Sequence, residues 1–256
     1  MLFRSLKQHD NALLFVGMGL GKSAGCLHTL SSLFLSLEAR AALVVAPMRV
    51  SNLTWPMEVE QWDQFRWMKV ANLRTESGQR AFLNGSAHIY TINYESLKLL
   101  VELVERRGGE LPYDVVIFDE LTRAKNPGSK RINLYRRKVP RVKRQWGLTG
   151  TPMPNSWMDL FAQVRLIDGG TRLGTHSLDF KKQYFFAPEI PQKPWEMKHG
   201  TEATLEGKIA DITLALKSSD YLGIPDVHFE DIDIPFCADL RDRKSTRLNS
   251  SHLGIS

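Results

Sequence analysis

Cysteine is almost absent: Cys26 and Cys237 are the only two in 256 residues, far apart and outside any CxxC pair or Cys/His tract. That excludes a disulfide framework and a thiolate zinc site, and it points to a reducing compartment. Long apolar runs are missing too. The most apolar stretch, Leu27 to Pro47, is broken by Glu38 and Arg40, so nothing reaches the roughly 18 uninterrupted apolar residues that a membrane span needs. The start, MLFRSLKQHD, has neither an apolar core nor a small-residue cleavage site and does not read as a secretory signal. The expectation is a cytoplasmic protein with no membrane partner. The seven His residues are scattered without HExxH spacing, and GxSxG is absent. Zinc-dependent and serine-nucleophile hydrolysis therefore have no carrier.

What is present describes a globular chain. Hydrophobic residues make up 43% and charged residues 24%, enough apolar content for a core. The length suits one large α/β domain or two small ones. The net charge of +6 is compatible with a polyanionic partner without demanding one.

From Asn11 to Leu166, short β-rich runs alternate with helix-length segments. The runs are NALLFV, AALVVAP, MKVANL, HIYTI, YDVVIFD and RQWGLT. This predicts repeated βαβ units, hence a mainly parallel sheet with helices on both faces. The runs are nearly continuous in apolar residues, as strands covered on both sides are. The helices predicted between and after them are Lys22 to Leu37, Asn52 to Trp62, Ser77 to Leu83, Tyr94 to Arg106, Ser129 to Arg137 and Trp157 to Ile167. From Asp168 to Gly200 the spacing becomes irregular, with a short helix around Leu178 to Tyr184. Leu205 to Leu216 reads as another helix, and VHFEDIDIPF as a last strand.

The first strand runs into Gly17-Met18-Gly19-Leu20-Gly21-Lys22-Ser23, and a helical pattern starts at Lys22. Strand, glycine-rich turn, GKS and helix form the context of a phosphate-binding loop. Glycines let backbone N–H groups turn towards phosphates, the helix N-terminus adds partial positive charge, and a lysine reaches the outer oxygens. Val16 stands where the strict GxxxxGK[ST] pattern has its first glycine. Gly17, Gly19, Leu20, Gly21, Lys22 and Ser23 are the candidate nucleotide-binding residues, with Ser23 on Mg²⁺.

A second cluster closes YDVVIFDEL, where Asp119 and Glu120 end a buried-looking strand. A carboxylate there can bind Mg²⁺, and a neighbour can take a proton from the water that attacks a γ-phosphate.

In order along the chain stand GMGLGKS, VVAPMRVSNLTWPMEVEQW, TINYESL, VIFDELTRAKN and GLTGTPMPNS. They resemble motifs I, Ia, Ic, II and III of superfamily-two helicases, and most of all the Swi/Snf-type DNA translocases, among those the compact phage and bacterial members. The resemblance covers residues 11 to 235. It implies a RecA-like P-loop NTPase domain, the first motor domain of an ATP-dependent DNA motor in a bacterial or phage-infected cell. By matching positions it implies that Gly19, Gly21, Lys22 and Ser23 hold ATP, Asp119 holds Mg²⁺ and Glu120 activates water. Thr149, Gly150 and Thr151 would couple nucleotide state to DNA. Pro47 and Arg49, with Asn93 and Tyr94, would lie along the backbone of double-stranded DNA, without sequence preference. Thr122 replaces the His of the family's DEAH variant. Gln8 sits too close to the first strand to match the family's adenine-contacting glutamine, so the N-terminal edge is expected to be truncated. The second motor domain, with its arginine fingers, has no counterpart in the chain. The competing reading is a nucleotide-dependent switch that binds DNA or protein without motor activity.

Residues 1 to 241 are expected to form one domain. The polar, aperiodic segment Asp242 to Ser256, DRKSTRLNSSHLGIS, resembles a translated sequencing-adaptor oligonucleotide and is expected to be a non-native, disordered tail. Two further features are weighed as ordinary surface and core. The basic run Lys125, Lys130, Arg131, Arg136, Arg137, Lys138, Arg141, Lys143 and Arg144 reads first as a solvated face, and most of the six Trp residues as core.

Overall fold

A computed structural model describes residues 6–17, 19–150, 157–187 and 195–216. The six strands predicted from Asn11 to Leu166 are present: β1 (Asn11–Val16), β2 (Ala42–Ala46), β3 (Val70–Asn72), β4 (Ile89–Asn93), β5 (Val115–Asp119) and β6 (Arg144–Thr149). They lie in one seven-stranded sheet of order β3-β4-β2-β5-β6-β1-β9, with β9 at Thr213–Leu216, in which every pairing is parallel. Alternation along the strands divides the core. Val116 and Phe118 of β5 face one cluster, and Val115 and Ile117 face the other. This is the period of two expected of a sheet clad on both sides.

The cladding helices are α1 (Lys22–Leu35), α2 (Trp55–Gln61), α3 (Glu76–Asn84), α4 (Leu97–Arg106), α5 (Lys130–Lys138), α6 (Trp157–Asp168), α7 (Ser177–Tyr184) and α8 (Thr201–Ile209). On one face α1 and α2 pack around Leu14, Trp55 and Trp146, while α3 to α8 cover the other around Phe82, Phe118 and Phe161. In α1, Gly25, Thr29 and Ser31 are poor helix formers that together cost about 2 kcal/mol relative to alanine. Its buried Leu27, Leu30, Leu33 and Phe34 contribute about 1.5–3 kcal/mol each, so packing decides the helix. A wide turn at Val50–Thr54 leads into α2.

One expectation is corrected. The helix read over Leu205 to Leu216 ends at Ile209; after a tight turn at Ala210–Ile212, Thr213–Leu216 forms β9, parallel to β1. Leu205, Ile209 and Ile212 keep helical spacing, but Ile212, Leu214 and Leu216 alternate. Pairing there satisfies backbone groups on the free edge of β1, which a helix would leave open. A two-residue antiparallel pair, β7 (Phe185–Phe186) with β8 (Glu196–Met197), was not foreseen.

The tryptophans divide as well. Trp55, Trp146 and Trp157 are buried, whereas Trp62 and Trp67 are about 40% exposed. The Trp62 indole donates to Glu58 across one helical turn, and Trp67 stands edge-on to Phe34 and His88. The predicted strand VHFEDIDIPF and the segment 242–256 lie outside the described residues.

Candidate active site

The tip of β1 turns through Gly17–Gly21 into α1. Gly19 and Gly21 have φ of 78° and 67°, left-handed values that cost a side-chain-bearing residue about 1–2 kcal/mol. The N-terminus of α1 has no side-chain cap and no acid in its first turn. Its leading N–H groups and the positive end of its dipole therefore face the loop without an internal counter-charge. Within the same turn the Lys22 ammonium donates to the carbonyls of Val16 at 2.8 Å and Gly17 at 3.1 Å. Ser23 is half-buried in the first helical turn, and Leu20 packs partly on the core below. Met18 lies outside the described residues. Uncapped backbone donors at a helix N-terminus, one ammonium and one hydroxyl have the chemistry to take a polyphosphate chelating a hard cation.

The second cluster closes β5. Asp119 Oδ2 accepts from the Trp55 indole at 3.0 Å and Oδ1 from the Glu120 N–H at 2.9 Å, while the Tyr94 hydroxyl donates to the Asp119 carbonyl at 3.0 Å. Burial pushes the Asp119 carboxyl above the usual range, and the Glu120 charge adds to this; the Trp55 and Glu120 hydrogen bonds and the Lys22 charge oppose it. Glu120 is one of two described non-glycine residues at positive φ, 52°. Such a conformation persists where surroundings over-determine it, and it clusters at functional sites. Thr122 Oγ1 donates to Glu120 Oε1 at 2.7 Å.

The sheet brings these tips together. β6 lies between β1 and β5, pairing Thr149 with Phe15 and Leu148 with Asp119. Lys22 and Asp119 act electrostatically on each other and on Cys26, which is fully buried in α1 with its thiol pushed far up by that burial. Among the described residues no group of three His, Cys, Asp or Glu side chains could hold a metal ion. The donor set available at these tips is one carboxylate and one hydroxyl, which suits Mg²⁺, an ion that takes few protein ligands and completes its shell with phosphates and water.

The remaining candidates separate. Thr149 is buried, Gly150 is exposed at the tip of β6, and Thr151 lies outside the described residues. Arg49 is exposed and Pro47 half-buried after β2. Asn93 and Tyr94 are 1% and 2% exposed. The Asn93 amide donates to Glu95, and the Tyr94 hydroxyl is turned inward to Asp119, so neither side chain presents itself to a ligand outside. Trp55 was not singled out for this site, although a buried indole needs an acceptor and its place in the WPMEVEQW segment was visible.

Comparison with known proteins agrees with this geometry. The profile of the SNF2-related domain matches residues 1–198. The chain belongs to the SNF2-related family. A putative protein, p41, of Acyrthosiphon pisum secondary endosymbiont phage 1 is 33% identical over 82% of this chain and 48% of its own length. The mouse DNA repair and recombination protein RAD54B is 26% identical over 75% of this chain and 21% of its own. In fold the chain is similar to the Sulfolobus solfataricus SWI2/SNF2 ATPase core solved in complex with double-stranded DNA, with a TM-score of 0.67 at 21% identity over 84% of this chain and 43% of the other. This SNF2-related chain thus spans about half the length of its phage relative. Membership implies a nucleotide-binding domain of RecA-like α/β fold. No described helix is long and apolar enough to cross a membrane.

Proposed function

We propose that this SNF2-related chain is the ATP-binding half of a DNA-dependent ATPase that moves along DNA when joined to a second motor domain. The observation that carries the reading is the meeting of the glycine loop and the Asp119-Glu120 pair on either side of β6, with Lys22 and Asp119 within electrostatic reach. Gly17, Gly19, Leu20 and Gly21 shape the cradle, and Lys22 leaves the loop carbonyls to bind the outer phosphates of ATP. Ser23 and Asp119 would hold Mg²⁺, which when bound neutralises charge on those phosphates. Trp55 fixes the Asp119 rotamer. Glu120 accepts the proton of the attacking water, its carboxylate held in position by the Thr122 hydroxyl. Thr149, Gly150 and Thr151, beside both tips, relay the nucleotide state.

The DNA partner is supported by the family and by the Sulfolobus core's double-stranded DNA. Pro47 and the exposed Arg49 are proposed to meet the sugar-phosphate backbone without reading sequence. Buried Asn93 and Tyr94 shape that surface from beneath, and Tyr94 ties it to the acid tip. The phage relative supports action in the cytoplasm of a bacterial or phage-infected cell.

An arginine from outside this domain completes the transition state; its absence costs on the order of 10³ to 10⁵ in rate. The chain alone is therefore expected to bind ATP with Mg²⁺ and to turn it over slowly, while a chain joined to a second motor domain hydrolyses ATP faster on adding duplex DNA. A two-domain protein that binds ATP tightly yet shows no DNA-stimulated turnover would replace the motor by the switch.

A further inference from the structure

The basic run that follows the acid pair is not one feature in three dimensions. Most of its cations are partnered: Lys125 with Asp159, Arg131 with Glu95, Lys138 with Glu105, and Lys143 and Arg144 with Asp10. Arg141 donates to the Leu166 and Ile167 carbonyls at the end of α6. Lys130, Arg136 and Arg137 remain, and among the described residues none of the three makes an ion pair. They line one open cleft of about 650 Å³ together with Arg165 of α6, which lies outside the run, and no carboxylate lines it.

The cleft concentrates charge that no carboxylate among the described residues neutralises. Among those residues Arg165 Nε is buried without a hydrogen-bond partner, and its guanidinium carbon stands 5.9 Å from the centre of the Phe161 ring. Arg137 Nε donates to the Asn133 carbonyl, which leaves its terminal nitrogens to face outward. Burial, and then the positive charges of Arg165 and Arg141, hold the Arg136 guanidinium below its usual range, so the two arginines repel each other. Packing like charges together is unfavourable unless an anion bridges them. Guanidinium forks match the paired oxygens of phosphate, and an open cleft with several forks suits a chain of phosphates better than a single enclosed ion.

Topology sets the arginine end of this cleft apart from the nucleotide edge, while Gly128 and Lys130 line its other end at the start of α5. Helices α5 and α6 pack on the face opposite α1. Arg136, Arg137 and Arg165 lie in their last turns, the ends that return towards the start of β6, as the Arg141 contacts with α6 require. We propose that the cleft between α5 and α6 is a second nucleic-acid site, gripping the phosphate backbone without reading sequence, on the face away from the strand tips that hold ATP. The choice of nucleic acid as the polyanion rests on the proposed DNA motor; the anion site itself does not.

The test uses the 256-residue chain, a fluorescent random-sequence duplex, and salt titrations of R136Q/R165Q against a control, K98Q/K138Q, that removes equal charge from surface ion pairs. The cleft double variant is expected to bind about tenfold more weakly near 0.1 M salt, with its log–log salt slope reduced by about 2. An equal change in the control, or no change in either, overturns the proposal. Arginine modification by phenylglyoxal, mapped by mass spectrometry on the unmutated chain, removes dependence on variant folding. Protection of Arg136 and Arg165 by duplex, and not by tripolyphosphate at equal phosphate concentration, supports the backbone site. Protection by tripolyphosphate alone, or by neither, overturns it. K22A separates the two readings: it is expected to lose ATP binding while keeping the full salt slope.

Discussion

The chain offers negative charge two receptions. At the tip of β1 the donors are backbone N–H groups, a helix dipole and one lysine, with left-handed glycines setting the curvature. In the α5–α6 cleft they are four side-chain cations on two helices, with no backbone cradle. The first is rigid and sized for one compact ligand, because its donors belong to the main chain. The second is adaptable and strongly salt-sensitive, because long cationic side chains reach into solvent. A rigid cradle suits chemistry in which a phosphate must sit within tenths of an ångström; a flexible basic cleft suits holding a strand that moves.

Several changes would break or sharpen that contrast. The largest effect is expected at the strand tips: Lys22→Ala or Glu120→Gln, in a chain joined to a second motor domain as proposed, should lower DNA-stimulated ATP hydrolysis by about a hundredfold or more. The circular-dichroism melt should not change, and a collapsed melt would assign these residues to stability instead.

Next comes Gly147→Ala. A Cβ there would meet Leu121 Cδ2 at 2.5 Å and Ile167 at 3.2 Å, and overpacking of this kind costs about 1–3 kcal/mol. Because Leu121 follows Glu120 directly, turnover should fall together with the denaturation midpoint. A midpoint equal to that of the parent would show that the sheet accommodates the methyl group.

The carboxylate tip also predicts a pH response that the cleft lacks. The folded pKa of Asp119 is raised, chiefly by burial. The cost of its buried charge is therefore present above that pKa and is relieved as pH falls through it, and the protonated form cannot serve a cation. Mg²⁺-dependent ATP binding should weaken with falling pH while still above the ordinary carboxylate range. Trp55→Phe, which removes a hydrogen bond that favours the charged form, should move that midpoint upward in a binding titration across pH. A midpoint that stays in place would mean that Trp55 only packs.

The smallest change is Thr122→Val, which removes the 2.7 Å bond to Glu120. It should lower kcat by about tenfold with KM for ATP unchanged, the lower end of the about 1.5–3 kcal/mol that a hydrogen bond to a charged group is worth, since water can take the hydroxyl's place. Thr122→Ser should restore most of the rate.

The glycine loop, the DE pair and the strands from β1 to β6 were legible because each is a local signal: apolar runs of strand length, left-handed positions filled by glycine, and a helix starting at Lys22. Positions whose meaning lies in long-range contacts were read less well. Tyr94 looked like a surface contact from its motif, yet its hydroxyl reaches Asp119, 25 residues on. Leu214 and Leu216 were read into the helix that Leu205, Ile209 and Ile212 begin, yet they pair with the edge of β1 as a strand.

The primary sequence alone determined the βαβ alternation, the glycine turn from β1 into α1 and the family, because these depend on residue type and on neighbours within a turn or a strand. Folding decided which cations of the basic run are neutralised and which are not, that Arg165 joins them, and that Trp55 holds Asp119. Those outcomes depend on side chains 28 to 134 positions apart in the chain meeting across helices and strand tips, distances over which a linear pattern carries no record of contact.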